Sequence, residues 1–441
     1  MKKLFLTLTS VLVLVGCKED TVAAAPSPVP ALPAASVVPS TYEAFPGCET
    51  PSASYARTLY FDAIAGSDAG DGSQAKPFRT VAMLAKSLRP GDHVIFASGT
   101  YGAIALTKTN APSLVASSAW VWIDLTPGAT VSGVDIRDVT RVLVSGGSIT
   151  KATGDIVTTN AASNVMIADA KVFGSTAPAD SLTVQQWLSI ASAFRFTSGS
   201  CLTAIRNTVT NVRDGFIFSK LVKTYPANSI KGLALGNELR GFSADGSRAI
   251  ASDVIIKDNK MIDGYVDVAD GDANHDDMFQ GFALNGNVFE NITVEGNFMQ
   301  DRTKQSRNLV SNYQGINIFD GLYKNVVVRR NVVIIGAYHA INMAGVDGLV
   351  IDKNTVVSSF NGSRADWIGT PMSKTGVKPV NNVVSNNLCP KYNNTANATQ
   401  TNNFTITIPA NHYMAFDLIN GAVDVHLKTT SFAYGKGAGA L

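Results

Sequence analysis

The chain has 441 residues, with 36 Lys and Arg against 34 Asp and Glu, so its formal net charge is only +2. Proteins that bind nucleic acid without sequence preference need a cationic surface, and this balance excludes that class. Charged residues make up 16% of the chain. That share also excludes a coiled coil, in which about half of the residues are Ala, Glu, Lys, Leu or Arg.

The N-terminus has the pattern of an export signal. A short basic start precedes an apolar stretch, Leu4 to Val15, that is too short to span a bilayer. The stretch ends in Leu14-Val15-Gly16-Cys17, which resembles the signal of bacterial lipoproteins. This resemblance implies a signal over residues 1–17 with a lipidated Cys17. It also implies an outer-membrane location, facing the periplasm or the cell surface, because Lys18 rather than Asp follows the cysteine.

Residues 18–57 read as a linker, since seven of the 17 prolines fall between Pro26 and Pro51. The lipid would then be the chain's only contact with the membrane, and residues 58–441 would form one monomeric domain. Three cysteines remain after Cys17, namely Cys48, Cys201 and Cys389. They allow one disulfide, whose partners the sequence does not select.

One helix is predicted near the start of this domain. Apolar residues recur with helical spacing between Pro77 and Gly91, at Phe78, Val81, Leu84 and Leu88. The segment and the Gly-Asp and Gly-Thr-Tyr strings after it resemble the entry segment of the pectate-lyase-like superfamily. The resemblance implies an all-β fold, a single-stranded right-handed parallel β-helix with a short N-terminal capping α-helix. The helix would cover the open edge of the first coil.

Asparagine is the unusual component of the composition, because 29 of the 32 Asn residues lie at or beyond Asn207. An apolar run followed by Asn recurs along this half, which is typical of stacked coils. Asn tolerates the left-handed backbone of a sharp turn, and stacked amides can hydrogen-bond to each other. We therefore interpret these residues as turn markers that form a ladder: Asn207, Asn237, Asn259, Asn297, Asn331, Asn354 and the pair Asn386-Asn387.

A second mark sets the register of the coils. A polar residue, a small residue and an apolar residue follow the Asn by seven or eight positions, as at Asp214 and Asp245. The marks at Gln280 and Gln314 follow their Asn by 21 and 17 positions. Two adjacent coils thus carry insertions of about 13 and 9 residues at one corner, where solenoids often bind ligands.

The two insertions differ in charge, since the first is acidic with one His and the second is basic. Beneath them, Gln280, Gln314 and His339 are predicted to stack as a polar ladder, with Asn317 and Asn342 aligned three residues further on. The string His275-Asp276-Asp277-Met278-Phe279-Gln280 is similar to the His-x-Asp-x-x-Gln element of bacterial β-helix proteins that act on carbohydrates. The resemblance implies an acidic polysaccharide as the partner. It does not select among lyases, epimerases and hydrolases.

β-Elimination from a uronate needs a base and positive charge that neutralises the carboxylate. The predicted catalytic residues are His275 as base, Asp277 to orient it, Lys304 as alternative base, Arg307 for positive charge, Tyr313 as proton donor, and His339. The predicted substrate-binding residues are Gln280, Arg302, Asn308, Gln314, Asn317 and Asn342. A polysaccharide lyase is therefore the leading hypothesis.

Several alternatives stay open. No cofactor is required by the sequence, but Asp272 and Asp276 could ligate Ca²⁺ through oxygen. A glycoside hydrolase would pair Asp277 with Asp276 or Asp320. A uronate C5-epimerase and a non-catalytic glycan-binding lipoprotein are the other two. Binding alone is less favoured, because the four Trp residues, Trp120, Trp122, Trp187 and Trp367, fall outside the insertions.

Overall fold

The computed structural model describes residues 42–51, 54–220, 229–265, 276–283, 286–303, 313–359, 366–417 and 422–441. Its body is a right-handed parallel β-helix, as predicted, because strand after strand pairs in parallel with the equivalent strand of the next coil. No helix in these residues is long and apolar enough to cross a membrane. The three α-helices are α1 (Leu84–Ser87), α2 (Val184–Ser189) and α3 (Pro409–His412).

The strands of the first half are β1 (Arg57–Phe61), β2 (Asp92–Phe96), β3 (Gly99–Tyr101), β4 (Ile104–Thr107), β5 (Val121–Val131), β6 (Val134–Arg137), β7 (Thr140–Thr150), β8 (Asp155–Ala168), β9 (Lys171–Phe173), β10 (Ser192–Ile205), β11 (Thr208–Val212), β12 (Phe216–Ser219), β13 (Ser229–Leu235), β14 (Glu238–Phe242), β15 (Ser247–Ile250), β16 (Ser252–Lys257) and β17 (Lys260–Gly264).

The strands of the second half are β18 (Asp277–Phe282), β19 (Val288–Glu295), β20 (Phe298–Gln300), β21 (Gln314–Asp320), β22 (Leu322–Arg329), β23 (Val332–Ile335), β24 (His339–Met343), β25 (Asp347–Asp352), β26 (Thr355–Ser358), β27 (Trp367–Gly369), β28 (Asn382–Ser385), β29 (Leu388–Cys389), β30 (Lys391–Asn393), β31 (Ala398–Thr401), β32 (Phe404–Thr405), β33 (Tyr413–Asp417) and β34 (Ala422–Leu427).

The paired strands line three faces, here called sheets A, B and C. Sheet A contains β4, β6, β12, β15, β18, β21, β24, β27, β30 and the first halves of β8 and β10. Sheet B contains β1, β2, β13, β16, β19, β22, β25, β28 and β31, with the remaining halves of β8 and β10 and the first halves of β5 and β7. Sheet C contains β3, β9, β11, β14, β17, β20, β23, β26, β29, β32 and the ends of β5 and β7. Inward-pointing Val, Ile, Leu and Phe from all three fill one continuous core.

The Asn ladder is confirmed, and it runs along the corner between sheets B and C. The amide nitrogen of each Asn donates to the amide oxygen of the next at 2.9–3.1 Å, through Asn207, Asn237, Asn259, Asn297, Asn331, Asn354, Asn387 and Asn403. The left-handed residue is the one before each ladder Asn, such as Arg206 or Gly236. The ladder residue itself therefore supplies hydrogen bonds, and its neighbour makes the turn.

The predicted N-terminal helix is present but short. Residues Val81–Met83 form a 3₁₀ turn that leads into α1, and Pro90 follows the helix closely. Leu84 and Leu88 are buried in the core. The helical stripe therefore covers apolar side chains of the first coil, as the sequence indicated.

Part of the segment that we place in the linker packs against sheet B. Tyr42 is buried beside Trp122 and Met166, and Cys48 forms a disulfide with Cys201. Cys389 is a buried free thiol. Aromatic side chains and the disulfide thus hold residues 42–48 on the solenoid, which Pro content alone did not indicate.

Breaking this disulfide should destabilise the domain. The bridge closes a loop between residues 153 positions apart, so Cys48→Ser should lower the free energy of unfolding by about 2–4 kcal/mol. Chemical unfolding with and without reductant measures the effect. Reductant should shift the midpoint of the parent chain but not that of Cys48→Ser; an unshifted parent with both thiols free would contradict the prediction.

The C-terminal end departs from the solenoid. Strands β33 and β34 pair antiparallel with each other, outside the parallel sheets. Tyr413 and Val425 pack with Val357 and Ile334 from the last coils of sheet C. This small unit covers apolar side chains on that face.

Candidate active site on sheet A

Two rows of polar side chains run side by side along sheet A. The first row contains Asp155, Ser192, Asp214, Asp245, Asp277, Gln314, His339, Trp367 and Lys391. The second row lies three residues further along each strand and contains Arg195, Ile217, Arg248, Gln280, Asn317 and Asn342; a register shift then places Gly369, two residues after Trp367, opposite Asn342. Because neighbouring strands lie about 4.8 Å apart, residues far apart in sequence become neighbours.

The predicted polar ladder is confirmed at one step and shifted at another. Gln314 lies beside His339, and Asn317 pairs with Asn342, as expected. Gln280, however, pairs with Asn317, and the residue opposite Gln314 is Asp277. The register mark of this coil is therefore Asp277-Met278-Phe279, three residues before Gln280, so the first insertion is about 10 rather than 13 residues long.

The insertions do leave from equivalent corners. Strand β17 pairs with β20 before them, and β18 pairs with β21 after them. A third insertion lies at the corner between sheets C and A. It consists of residues 174–191, between β9 and β10, and includes α2. Trp187 of α2 stacks on Tyr265 with ring centroids 4.8 Å apart. In the sequence, the signal of this segment is the long interval before Leu202.

The central feature of the first row is a set of three aligned carboxyls, Asp214, Asp245 and Asp277, here called the carboxyl row. The guanidinium of Arg248 contacts Asp214 Oδ1 at 3.1 Å and also forms a short ion pair with Asp245 Oδ2. Asp245 Oδ1 accepts the backbone N–H of Asp277 at 2.8 Å. Arg248 therefore forms ion pairs with two of the three carboxyls, Asp214 and Asp245.

Within the described part of the chain, the side-chain partners of Asp277 are amides and not a cation. Its Oδ1 accepts the amide of Asn317 at 2.6 Å, and its Oδ2 accepts that of Gln280 at 3.2 Å. Asp277 is 1% exposed. Its carboxyl is thus enclosed by hydrogen-bond donors that carry no net charge.

These surroundings give the two neighbouring carboxyls, Asp245 and Asp277, different pKa values. Burial, together with the charge of Asp245, raises the pKa of Asp277 well above its usual value. Burial also raises the pKa of Asp245, and Asp214 adds to the effect, but Arg248 opposes them and holds this pKa at about 6. Because the two groups interact, they titrate as a unit, with Asp277 retaining its proton to higher pH.

The side chain of Asp214 opens toward a cavity of about 380 Å³. Its lining includes Asp155, Arg195, Asp214, Arg248 and Ser192. Arg195 is ion-paired with Asp155 at 2.9 Å. Two of the three arginines that line the cavity, Arg195 and Arg248, are therefore paired with carboxylates, whereas the third, Arg213, donates to the carbonyl oxygen of Leu188 at 3.1 Å.

His339 lies at the other side of the carboxyl row. Its Nδ1 is 3.1 Å from Gln314 Oε1, and its ring packs edge-on against Trp367 and Phe319. Asn317 also donates to the backbone oxygen of His339 at 3.3 Å. The structure thus brings together five predicted residues: Asp277, Gln280, Gln314, Asn317 and His339. Asn342 continues the second row.

Tyr313 and Arg302 do not have the roles that we predicted. Tyr313 is buried in the core, where its hydroxyl donates to the carbonyl oxygens of Phe242 and Ala244. Arg302 is also buried, with its guanidinium 3.4 Å from Asp301. Both come directly beside an insertion in sequence, and that position suggested exposure that their packing does not provide.

The hydrolase alternative pairs Asp277 with Asp276 or Asp320. Asp320 lies at the end of β21 and pairs with Lys374, while the backbone carbonyl of Asp276 accepts the N–H of Gln314 and its charge helps to raise the pKa of Asp277. The carboxyl aligned with Asp277 on the adjacent strand is Asp245, a residue that the sequence marks only by its register.

Other predicted residues fall outside the described part of the chain: His275, Lys304, Arg307, Asn308, Asp272 and Cys17. Within the residues that the structure does describe, no group of three or more His, Cys, Asp or Glu is arranged to hold a metal ion.

Several solved structures are similar to this chain. A rhamnogalacturonan lyase is 13% identical, covers 87% of this chain and 100% of its own, and has a TM-score of 0.52. Pectate lyase Pel9A is 13% identical, with 86% and 91% covered and a TM-score of 0.43. A polygalacturonase from Erwinia carotovora ssp. carotovora is 12% identical, with 83% and 96% covered and a TM-score of 0.32. No protein-family model and no curated protein matches the chain. The first likeness confirms the fold that the sequence resemblance implied.

Proposed function

We propose that this chain is a glycoside hydrolase that cleaves a polysaccharide along sheet A, with the carboxyl row as its catalytic centre. The proposal depends on one observation: Asp277 and Asp245 are adjacent, and among the residues that the structure describes, only Asp245 has a cationic partner. Hydrolysis of a glycosidic bond needs one protonated carboxyl and one carboxylate. Environments that separate two pKa values provide that pair.

Asp277 is assigned as the general acid. It retains its proton because ionising it would place a second buried negative charge beside Asp245. A protonated carboxyl can donate to the glycosidic oxygen as the bond breaks, which lowers the energy of the departing group. Gln280 and Asn317 hold the carboxyl in place through its oxygens.

Asp245 is assigned as the carboxylate, acting as nucleophile or as the base that activates water. Arg248 favours its ionised form, and Asp214 positions Arg248 through the second contact of the same guanidinium. The strands of Asp245 and Asp277 are adjacent, so their backbones lie about 4.8 Å apart. Two carboxyls on neighbouring strands can approach one sugar residue from the same sheet.

A lyase remains the second candidate, supported by the basic residues of the second insertion, Lys304 and Arg307. Against it, Arg195 and Arg248 on sheet A are ion-paired with Asp155, Asp214 and Asp245. β-Elimination needs cationic or hydrogen-bonding groups that neutralise the uronate carboxylate. Arg195 and Arg248 are already engaged by aspartates and serve that purpose poorly, and Arg213 in the same cavity donates to the carbonyl oxygen of Leu188.

The two reactions leave different products. Purified protein is incubated with rhamnogalacturonan and with polygalacturonate, and reducing ends are measured together with the ultraviolet absorbance of a C4–C5 double bond. Hydrolysis gives reducing ends without that absorbance. Reducing ends that rise together with the absorbance would establish elimination instead, and glycan retention without either signal would support a binding protein.

The pH dependence follows from the assigned roles. Activity should rise as pH increases through about 6, where Asp245 becomes a carboxylate. It should fall again at higher pH, as Asp277 loses the proton that its raised pKa retains. The ratio kcat/KM measured across pH should therefore be bell-shaped, and a profile that keeps rising into the alkaline range would contradict Asp277 as acid.

A further inference from the structure

Beyond His339, the first row ends in an aromatic and basic group formed by Tyr338, Trp367 and Lys391, here called the platform. The rings of Tyr338 and Trp367 stack with centroids 5.4 Å apart and planes inclined by 20°. Tyr338 is 47% exposed, so the stack reaches the surface. The other Trp residues of the chain, Trp120, Trp122 and Trp187, are buried.

Lys391 adds a positive charge to this stack. Its Nζ lies 5.4 Å from the centre of the Trp367 ring, within the range of a cation–π contact. Lys391 is exposed and pairs in register with Trp367 on the adjacent strand. An ammonium group and an aromatic face are thus held side by side at the surface of sheet A.

We infer that the platform is a subsite for a uronic acid residue of the glycan, with the sugar ring packed on the aromatic stack and its carboxylate paired with Lys391. One face of a pyranose carries C–H groups, which suit the electron-rich face of an aromatic ring. The carboxylate of a uronate suits an ammonium donor. The aromatic stack would hold charged and neutral sugars alike, so the charge of Lys391 is the feature that selects a uronate.

The position of the platform suits a long substrate. Three strand steps separate Trp367 from Asp277, through His339 and Gln314, which is about 14 Å. A glycan that reacts at the carboxyl row would reach the platform several sugars away. This inference rests on the proposal that sheet A binds glycan, but it does not depend on the reaction.

The test is a binding titration followed by tryptophan fluorescence in full-length Asp277→Asn, which is expected to bind without turnover. The probes are polygalacturonate and its methyl ester. Because Trp367 is part of the subsite and the other three Trp are buried, polygalacturonate should change the emission, and Trp367→Phe should abolish the change. Ester should bind about tenfold more weakly, which is the loss expected for one charged hydrogen bond.

Substitutions separate the two parts of the subsite. Lys391→Gln should weaken polygalacturonate binding about tenfold and leave ester binding unchanged, whereas Lys391→Arg should retain the preference. Tyr338→Ala should weaken both probes, and Lys171→Gln on sheet C is the matched control. Equal affinity of the two probes, unchanged binding in Lys391→Gln and Tyr338→Ala, or no binding of polygalacturonate would overturn the inference. The hydrolase proposal fails by a different result, namely the formation of unsaturated products by the parent chain.

Discussion

Replacing Asp277 by Asn should lower glycan hydrolysis by about 100- to 10,000-fold, the range that a general acid contributes. Asn has nearly the same shape and can be held by Gln280 and Asn317, but it has no proton to give to the glycosidic oxygen. The affinity for glycan should change little, so the loss should appear in kcat rather than in KM. Initial rates of reducing-end formation measure both.

The stability of the same variant provides a control. Since folding raises the pKa of Asp277, the folded protein binds a proton that the unfolded chain releases at lower pH. Stability is therefore lost as pH rises from the usual carboxyl range toward the raised pKa. Asp277→Asn removes this pH-dependent loss of stability. The variant should therefore have a melting temperature at neutral pH that is no lower than that of the parent. Asp253→Asn on sheet B is the matched substitution, and an equal loss of activity there would contradict the assignment.

Replacing Asn297 by Ala should cost about 3 kcal/mol or more of unfolding free energy, since each buried polar group left unpaired costs about 1–3 kcal/mol. Asn297 accepts from the backbone and side-chain amides of Asn259 and donates to Asn331 and to the carbonyl of Ile256. All of these groups are buried. Denaturant unfolding followed by circular dichroism measures the loss.

The last member of the ladder is the matched comparison. Asn403 makes similar bonds to Asn387 and Val384, but it is only half-buried. Water can replace some of the hydrogen bonds that Asn403 makes. Asn403→Ala should therefore lower the free energy of unfolding by only about 1 kcal/mol or less. Equal costs at Asn297 and Asn403 would show that the ladder does not stabilise the solenoid through its buried hydrogen bonds.

The fold was predictable because its signals are local. Asn297 and Asn331 each follow an apolar run within one strand, and Leu84 and Leu88 mark their helix by spacing. Register was harder in this coil, because Gln280-Gly281-Phe282 fits the pattern of the mark, whereas the segment that takes its place, Asp277-Met278-Phe279, has Met instead of a small residue. Pairing of Asp277 with Gln314 across coils decides between them, and one sequence does not contain that information.

The candidate site was only partly predictable, for a related reason. Asp277 stood out beside its insertion, whereas Asp214 and Asp245 looked like ordinary turn residues next to Gly. They differ from ordinary turn residues because Arg248 pairs with both, with Asp245 in its own coil and with Asp214 in the preceding coil. Trp367 was set aside because it is far from the insertions in sequence, yet it lies in the same row as His339. Such neighbours are created by stacking.

The most direct test of the hydrolase proposal is the mass of the products from a defined oligosaccharide of rhamnogalacturonan or polygalacturonate. Hydrolysis adds one water for each bond cleaved, so the two product masses should sum to the substrate plus one water, and Asp277→Asn should form almost none of them. Products whose masses sum to the substrate alone, one of them carrying a double bond, would contradict the carboxyl row as an acid and carboxylate pair and establish elimination.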